Sequence, residues 1–90
     1  MYKICFTRAA EKYLEKINEK GLKLEYQLPL QEISRDPYIG EVKIGDLADL
    51  YCYDIFYNKT NYELAYRIYE EDDQLVVVIL AGTRENFLLN

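Results

Sequence analysis

Apolar and polar residues alternate along residues 2–6, which predicts a short strand near the start of the chain. The pattern then changes to the spacing i, i+3, i+4, i+7 that is typical of an amphipathic helix. The apolar residues at this spacing are Ala10, Tyr13, Leu14 and Ile17. Thr7 is a suitable N-cap for this helix, and we expect Gly21 to end it as a left-handed C-cap.

A second helical pattern occupies residues 22–33. Its apolar members are Leu22, Tyr26, Leu30 and Ile33. Pro29 lies among them, and because proline lacks a backbone N–H we expect it to kink or split the helix. The Asp36-Pro37 pair predicts the end of the helical region, and the Gly45-Asp46 pair predicts a further turn.

From residue 50 the hydrophobic period changes to 2, which predicts strands at residues 50–57, 62–69 and 74–83. The short connections between them contain turn-forming residues and predict an antiparallel meander. The third strand is apolar on both faces over residues 76–80, so we expect it at the centre of the sheet. The predicted fold is therefore α+β, a single domain over residues 1–90: a strand, two N-terminal helices and a three-strand antiparallel meander, with the helices on one face of the sheet.

The alternation along the first two meander strands sorts their side chains onto two faces. The face expected to receive the helices carries Tyr51, Tyr53, Ile55, Tyr57, Tyr62, Leu64, Tyr66 and Ile68. The opposite face carries Cys52, Asp54, Phe56, Glu63, Ala65, Arg67 and Tyr69. Because this second face mixes charged and aromatic side chains, we expect the functional site to lie there.

Composition and length restrict the function further. The chain has no histidine, which removes the commonest general base and the commonest zinc ligand, and we expect neither a metal nor a cofactor. No apolar run approaches the roughly 18 residues that cross a bilayer, and the first residues lack the features of a signal peptide. We therefore expect a cytoplasmic protein without membrane contact, in which Cys5 and Cys52 are free, buried thiols.

The net charge is −5, from 16 acidic and 11 basic residues. Proteins that grip nucleic acid usually carry excess positive charge, because contacts with phosphate supply most of their affinity. The overall charge therefore argues against strong binding of nucleic acid by the chain alone. It leaves open a local basic patch or a basic protein partner.

Four segments, in this order and spacing, resemble the RelE/ParE family of toxins from type II toxin–antitoxin systems. They are Asp36-Pro37-Tyr38-Ile39-Gly40, Gly45-Asp46-Leu47, Asn61-Tyr62-Glu63-Leu64-Ala65-Tyr66-Arg67 and Ala81-Gly82-Thr83-Arg84-Glu85-Asn86. The resemblance implies a toxin that a cognate antitoxin wraps and neutralises; oligomers form through that antitoxin, or the oligomeric state stays open. For the activity it implies ribosome-dependent cleavage of messenger RNA as in RelE-like members, or inhibition of DNA gyrase as in ParE-like members. A third alternative is a non-catalytic relative that only binds the antitoxin.

For an RNA-cleaving member, the resemblance implies a site of Lys, Arg and Tyr side chains whose basic groups hold the scissile phosphate, stabilise its developing charge and protonate the leaving oxygen. Arg84 matches a basic residue of the family, whereas Asp54 and Phe56 stand where RNA-cleaving members carry lysines. Glu63 stands where they carry an arginine, and the late tyrosine of many members falls near Phe87 or Leu88. Two carboxylates repel a phosphate, so we expect weak cleavage.

The candidate site residues follow from this resemblance and from the sorting of the faces. The catalytic candidates are Arg84, Arg67 and Glu63. The binding candidates are Asp54, Phe56, Lys43, Arg35 and Tyr69. Arg67 has the alternative of a structural salt bridge with Asp54 or Glu63, and Tyr69 that of packing on the sheet.

Overall fold

The computed structural model describes residues 1–43, 50–71 and 74–85. Over these ranges the chain has two α-helices, a short 3₁₀ turn and five strands in one sheet. The strands are β1 (Lys3–Phe6), β2 (Glu41–Lys43), β3 (Leu50–Tyr57), β4 (Thr60–Tyr69) and β5 (Leu75–Thr83). The helices are α1 (Arg8–Glu15) and α2 (Lys20–Arg35), and the 3₁₀ turn is Pro37–Ile39. The predicted α+β fold is confirmed.

The sheet has the strand order β1-β5-β4-β3-β2. Strands β3, β4 and β5 form the predicted antiparallel meander, and β3 has the predicted bounds. Strand β5 is interior because β1 pairs with it in parallel on its other side, but the central position that was predicted for it belongs to β4. The parallel pairing of β1 and the existence of β2 were not predicted. No helix in the described part of the chain is long and apolar enough to cross a membrane.

Strand β5 carries one extra residue opposite β4. Ala65 lies opposite Leu80 and Tyr66 lies opposite Val78, so Ile79 forms a β-bulge. Thr7 binds the chain at this point: its hydroxyl donates to the Ile79 carbonyl at 2.6 Å, and its N–H donates to the Val78 carbonyl at 3.0 Å. The same hydroxyl accepts from the N–H of Ala10 at 3.3 Å as the predicted N-cap, so it fixes the start of α1 on the sheet.

The predicted C-cap role of Gly21 is wrong. Helix α1 ends at Glu15 with Lys16 as its C-cap, and Gly21 lies in the first turn of α2. A Cβ atom at Gly21 would lie 2.3 Å from the hydroxyl oxygen of Tyr57. The absence of a side chain therefore allows α2 to approach the sheet closely, and no left-handed conformation is involved.

The predicted split of the second helix at Pro29 is also wrong, because α2 continues through this residue to Arg35. Pro29 is buried in the stripe by which α2 contacts the sheet. The other buried residues of this stripe are Leu22, Tyr26 and Ile33. Packing of this stripe offsets a cost of about 3 kcal/mol for proline in a helix interior. The helix ends before Asp36, as predicted, whereas the Gly45-Asp46 turn lies outside the described residues.

The core lies between the helices and one face of the sheet, as the sorting of the faces predicted. Its fully buried residues include Ala10, Tyr26, Ile33, Leu64, Tyr66, Val76 and Val78. At one end of this core the Tyr66 hydroxyl donates to the Pro37 carbonyl at 2.7 Å and accepts from the N–H of Gly40 at 3.1 Å. These bonds fix the segment between α2 and β2 on the sheet. The opposite face of the sheet, called the open face below, is not covered by α1 or α2.

Candidate functional site

The centre of the open face is a pair of opposing carboxylic acids. The strand register places Asp54 of β3 directly opposite Glu63 of β4, and Gly82 of β5 lies on the other side of Glu63. Arg84 follows the end of β5, and its Nη1 atom lies 3.9 Å from Oδ2 of Asp54. The structure therefore brings together three of the residues that the sequence nominated.

Glu63 is almost completely buried, with 5% of its surface exposed. Burial is the largest cause that raises the pKa of its carboxyl to about 7, and the hydrogen bond and charge of Asp54 act in the same direction. The positive charges of Lys43 and Arg84 oppose this shift. At neutral pH the Glu63 carboxyl is therefore present both with and without its proton, which suits a group that exchanges protons in catalysis.

The ion pair of Arg84 and Asp54 is weak. Its 3.9 Å separation is long, and about half of each side chain is exposed (48% and 51%). Exposed pairs of this kind contribute about 0–1 kcal/mol. Arg84 can therefore exchange Asp54 for an anionic ligand at little cost, and Asp54 is placed to hold the guanidinium in position until then.

Arg67 lies on the same face but does not contact the acid pair. It is opposite Leu50 and Val77, four residues along β4 from Glu63, which corresponds to about 13 Å. Its Nε atom is buried without a hydrogen-bond partner in the described part of the chain. The alternative of a salt bridge from Arg67 to Asp54 or Glu63 is thus not found among the described residues.

The remaining candidates lie at different distances from the acid pair. Lys43 forms an ion pair with Glu41 at 3.9 Å, at the β2 edge of the open face. Arg35 ends α2, on the helix-covered side, and lies apart from the acid pair. Tyr69 is at the end of β4 far from the hairpin, whereas Phe56 lies beside the acid pair with 67% of its surface exposed.

Cys52 does not supply a nucleophile to this site. Both thiols are free, as expected, although Cys5 is only partly buried. Burial, followed by the charge of Glu63, raises the pKa of the Cys52 thiol to about 11. The thiol therefore stays protonated at neutral pH and is inert. Within residues 1–43, 50–71 and 74–85 we find no cluster of three or more side chains suited to hold a metal ion.

A cleft of about 410 Å³ adjoins the acid pair on the side of the β3–β4 hairpin. Its lining residues are Lys59, Thr60, Asn61, Thr83, Arg84 and Glu85. The sequence assigned Lys59 and Asn61 only to a turn. Their approach to Arg84 depends on the register between β4 and β5, which a bulge shifts by one residue and which local patterns do not reveal, so this part of the site was missed.

The profile of the family described as ParE-like toxin of type II bacterial toxin–antitoxin system matches residues 4–90. Solved structures also resemble the chain. The toxin–antitoxin complex RelBE of E. coli contains a chain 27% identical with a TM-score of 0.72, and the match covers 91% of this chain and 95% of that one. The RelBE2 complex of Mycobacterium tuberculosis gives 27% identity, a TM-score of 0.70, and 92% and 98% coverage. The isolated RelE toxin of E. coli is 26% identical with a TM-score of 0.73, and the match covers 92% of this chain and 84% of that one. No curated protein matches the chain in sequence.

Proposed function

The chain belongs to the ParE-like toxin family of type II bacterial toxin–antitoxin systems, and we propose that it arrests growth by cutting messenger RNA on the ribosome. It is a toxin of the RelE/ParE kind. The observation that carries the proposed activity is the buried Glu63 carboxyl, opposite Asp54 and beside the exposed Arg84. The similarity to solved RelE toxins supports the same activity.

The chemistry needs a base, a cation and an acid. The 2′-hydroxyl of a ribose attacks the neighbouring phosphorus, the bond to the 5′-oxygen of the next nucleotide breaks, and a 2′,3′-cyclic phosphate forms. In our proposal ionised Glu63 removes the proton from the 2′-hydroxyl, since its pKa of about 7 matches the working pH. Arg84 stabilises the charge that develops on the phosphate oxygens. The proton taken up by Glu63 is then available for the leaving 5′-oxygen.

The proton on Glu63 also reduces the electrostatic penalty of an acidic site. At about 4 Å and an effective dielectric constant of 20, each contact between like charges costs about 4 kcal/mol. When Glu63 is protonated, only Asp54 repels the phosphate, and Arg84 offsets that charge. The RNA can then bind, and Glu63 has to lose this proton before it acts as the base, so cleavage remains weaker than that of a family nuclease with lysines and arginines at these positions.

We also propose that a cognate antitoxin covers the open face. The RelBE structures that resemble this chain are described as complexes of a toxin with its antitoxin. The open face here exposes large apolar side chains, among them Phe56 (67%) and Leu80 (42%), which a partner segment would shield from water. Co-expression with the small protein encoded beside this chain should give a soluble complex and suppress growth arrest. Failure of that protein to co-purify would contradict this part of the proposal.

The test of the activity is primer extension on messages from cells in which the protein is induced. The wild type should produce cuts within translated regions, whereas Arg84→Ala and Glu63→Gln should each lower the cutting rate by about a hundredfold or more. Arg8→Ala is the matched control, because Arg8 is an exposed arginine at the start of α1, on the helix side. Equal cutting by Arg84→Ala and Arg8→Ala would contradict the proposal.

The negative net charge of the chain and the acid pair on the open face favour a second candidate function. Inhibition of DNA gyrase requires binding of a protein and no nuclease site, and a net charge of −5 with Asp54 and Glu63 at the centre of the face suits a basic protein surface. Intact messages together with gyrase-dependent DNA breaks would assign this activity. Intact messages and intact DNA would indicate a relative that only binds its antitoxin.

A further inference from the structure

We propose that the cleft beside the β3–β4 hairpin binds the nucleotide next to the scissile phosphate in a single-stranded RNA. In this arrangement Lys59 contacts its phosphate, Arg84 remains on the scissile phosphate, and Phe56 stacks on its base. The inference rests on the proposed RNA-cleaving function and adds to it a binding site for the substrate. It concerns residues that the sequence did not nominate, Lys59 and Asn61.

The cleft has the right size and position for this ligand. Its volume of about 410 Å³ lies within the range of pockets that hold small ligands. Asn61 is opposite Phe56, and Glu63 is opposite Asp54, so the cleft begins two residues from the acid pair along β4. Two residues of a strand span about 7 Å. This distance corresponds to one nucleotide of an extended RNA strand that runs from the acid pair towards the hairpin.

The charges of the cleft also suit a phosphate. Lys59 and Arg84 contribute two positive charges to its lining and Glu85 one negative charge. The lining thus has an excess of one positive charge on a chain whose net charge is −5, and Asp54, the ion-pair partner of Arg84, is not part of this lining. Asn61 adds an amide that can donate to and accept from a base. Phe56, opposite it and 67% exposed, offers an aromatic surface on which any base can stack.

The backbone at the hairpin gives a separate reason to assign a role to the Lys59 side chain. Asn58 and Lys59 have φ angles of 50° and 63°, so both central residues of the two-residue turn are left-handed. Asparagine is common at the first of these positions and glycine at the second, because glycine has no Cβ to clash. A lysine at the second position makes the turn less stable than a glycine would. In our proposal, contact of the Lys59 ammonium group with RNA accounts for a lysine instead of a glycine at this position.

This geometry supplies a variant that keeps the fold. Lys59→Gly removes the ammonium group and relieves the turn, so it should raise thermal stability while it weakens RNA binding. The probe is a fluorescent hexauridylate with 2′-O-methyl groups, which cannot be cut, and binding is followed by anisotropy at several salt concentrations. Loss of one phosphate contact should lower the slope of log affinity against log salt concentration by about 0.7. Phe56→Leu should weaken binding by about tenfold without a change of slope.

Lys12→Ala is the control, because Lys12 is an exposed lysine on α1, which covers the opposite face of the sheet. Affinity and slope of this variant should equal those of the wild type. An unchanged slope for Lys59→Gly would overturn the inference.

The failure of this inference can be distinguished from the failure of the proposed function. If the wild type cuts messages and Lys59→Gly cuts them with the same half-saturating ribosome concentration, only the binding site is wrong. If Lys59→Gly loses hexauridylate affinity and the wild type cuts no message, the binding site stands and the cleavage is wrong.

Discussion

Arg84 and Asp54 meet at the centre of the open face, with 3.9 Å between Nη1 and Oδ2. Arg84, which would bind a phosphate, is therefore paired with Asp54, whose negative charge would repel that phosphate. Asp54 also raises the pKa of Glu63 through a hydrogen bond and through its charge. One residue thus controls both the cation and the proton-transfer group of the proposed site.

Asp54→Asn should therefore increase cleavage. The substitution releases Arg84 and removes one negative charge from the path of the phosphate, so the cutting rate on translating ribosomes should rise several-fold at neutral pH. It also lowers the pKa of Glu63 towards its ordinary value, because two of the causes that raise it are lost. The acidic limb of the pH–rate profile should move to lower pH. Glu41→Gln, a change of another acidic residue on the open face, should leave the profile in place, and a slower Asp54→Asn enzyme would contradict the assignment.

Glu63→Gln should change how stability depends on pH. The folded protein binds the Glu63 proton up to a pKa of about 7, whereas an ordinary glutamate has a pKa of 4.5. Between these values the folded state holds more protons than the unfolded state, so the free energy of unfolding falls as the pH rises. Each tenfold change in proton affinity is about 1.4 kcal/mol, so the loss from pH 4.5 to pH 8 is on the order of 2–3 kcal/mol.

Urea unfolding at pH 5 and pH 8 checks this prediction. A glutamine side chain at this position carries no charge at either pH, so the Glu63→Gln variant should gain stability over the wild type mainly at pH 8. Glu71→Gln is the control, since Glu71 is exposed. An equal effect of Glu63→Gln at both pH values would show that Glu63 does not hold its proton in the folded state.

Tyr66→Phe should destabilise the protein by about 1–3 kcal/mol, because the buried Pro37 carbonyl loses its donor and the Gly40 N–H loses its acceptor. The ring itself would keep its stacking on Tyr51, with centroids 5.8 Å apart. Tyr53→Phe is the matched control: its hydroxyl reaches Glu32 at 3.5 Å on an exposed surface, so its loss should be close to neutral. Equal midpoints of urea unfolding for the two variants would contradict the role given to the Tyr66 hydroxyl.

The sequence was sufficient for much of the fold. The change of period at residue 50 identified the meander, and alternation sorted the side chains of β3 and β4 correctly. This sorting succeeded because the two-residue turn at Asn58 and Lys59 pairs the strands in a fixed register. The same register allowed Asp54 and Glu63 to be placed on one face before their contact was known.

The parts that could not be predicted depend on contacts between distant segments. Alternation placed Glu63 on the open face but gave no sign of its burial, which depends on the strands on either side. The cleft at Lys59 forms only because β5 brings Arg84 beside the hairpin. Gly21 was misread for the same reason: a glycine after a helix predicts a C-cap, and only the position of the Tyr57 hydroxyl shows why the residue has no side chain.

Gly40 provides a test of such a distant contact. A Cβ at this residue would lie 2.3 Å from the Tyr66 hydroxyl oxygen and 3.0 Å from the Cys52 carbonyl oxygen. Gly40→Ala should therefore destabilise the protein by about 1–3 kcal/mol, the usual cost of overpacking. The Tyr66 hydroxyl is fixed by its bond to Pro37 and cannot move away freely.

The two substitutions should also be coupled, because Tyr66→Phe removes the atom that a Cβ at residue 40 meets first. In a double-mutant cycle measured by urea unfolding, Gly40→Ala should cost less in the Tyr66→Phe background than in the wild type, by at least about 0.5 kcal/mol. The contact with the Cys52 carbonyl remains in both backgrounds, so part of the cost should persist. Additive effects would mean that the Tyr66 hydroxyl does not restrict residue 40, and that the backbone of Cys52 alone requires the glycine.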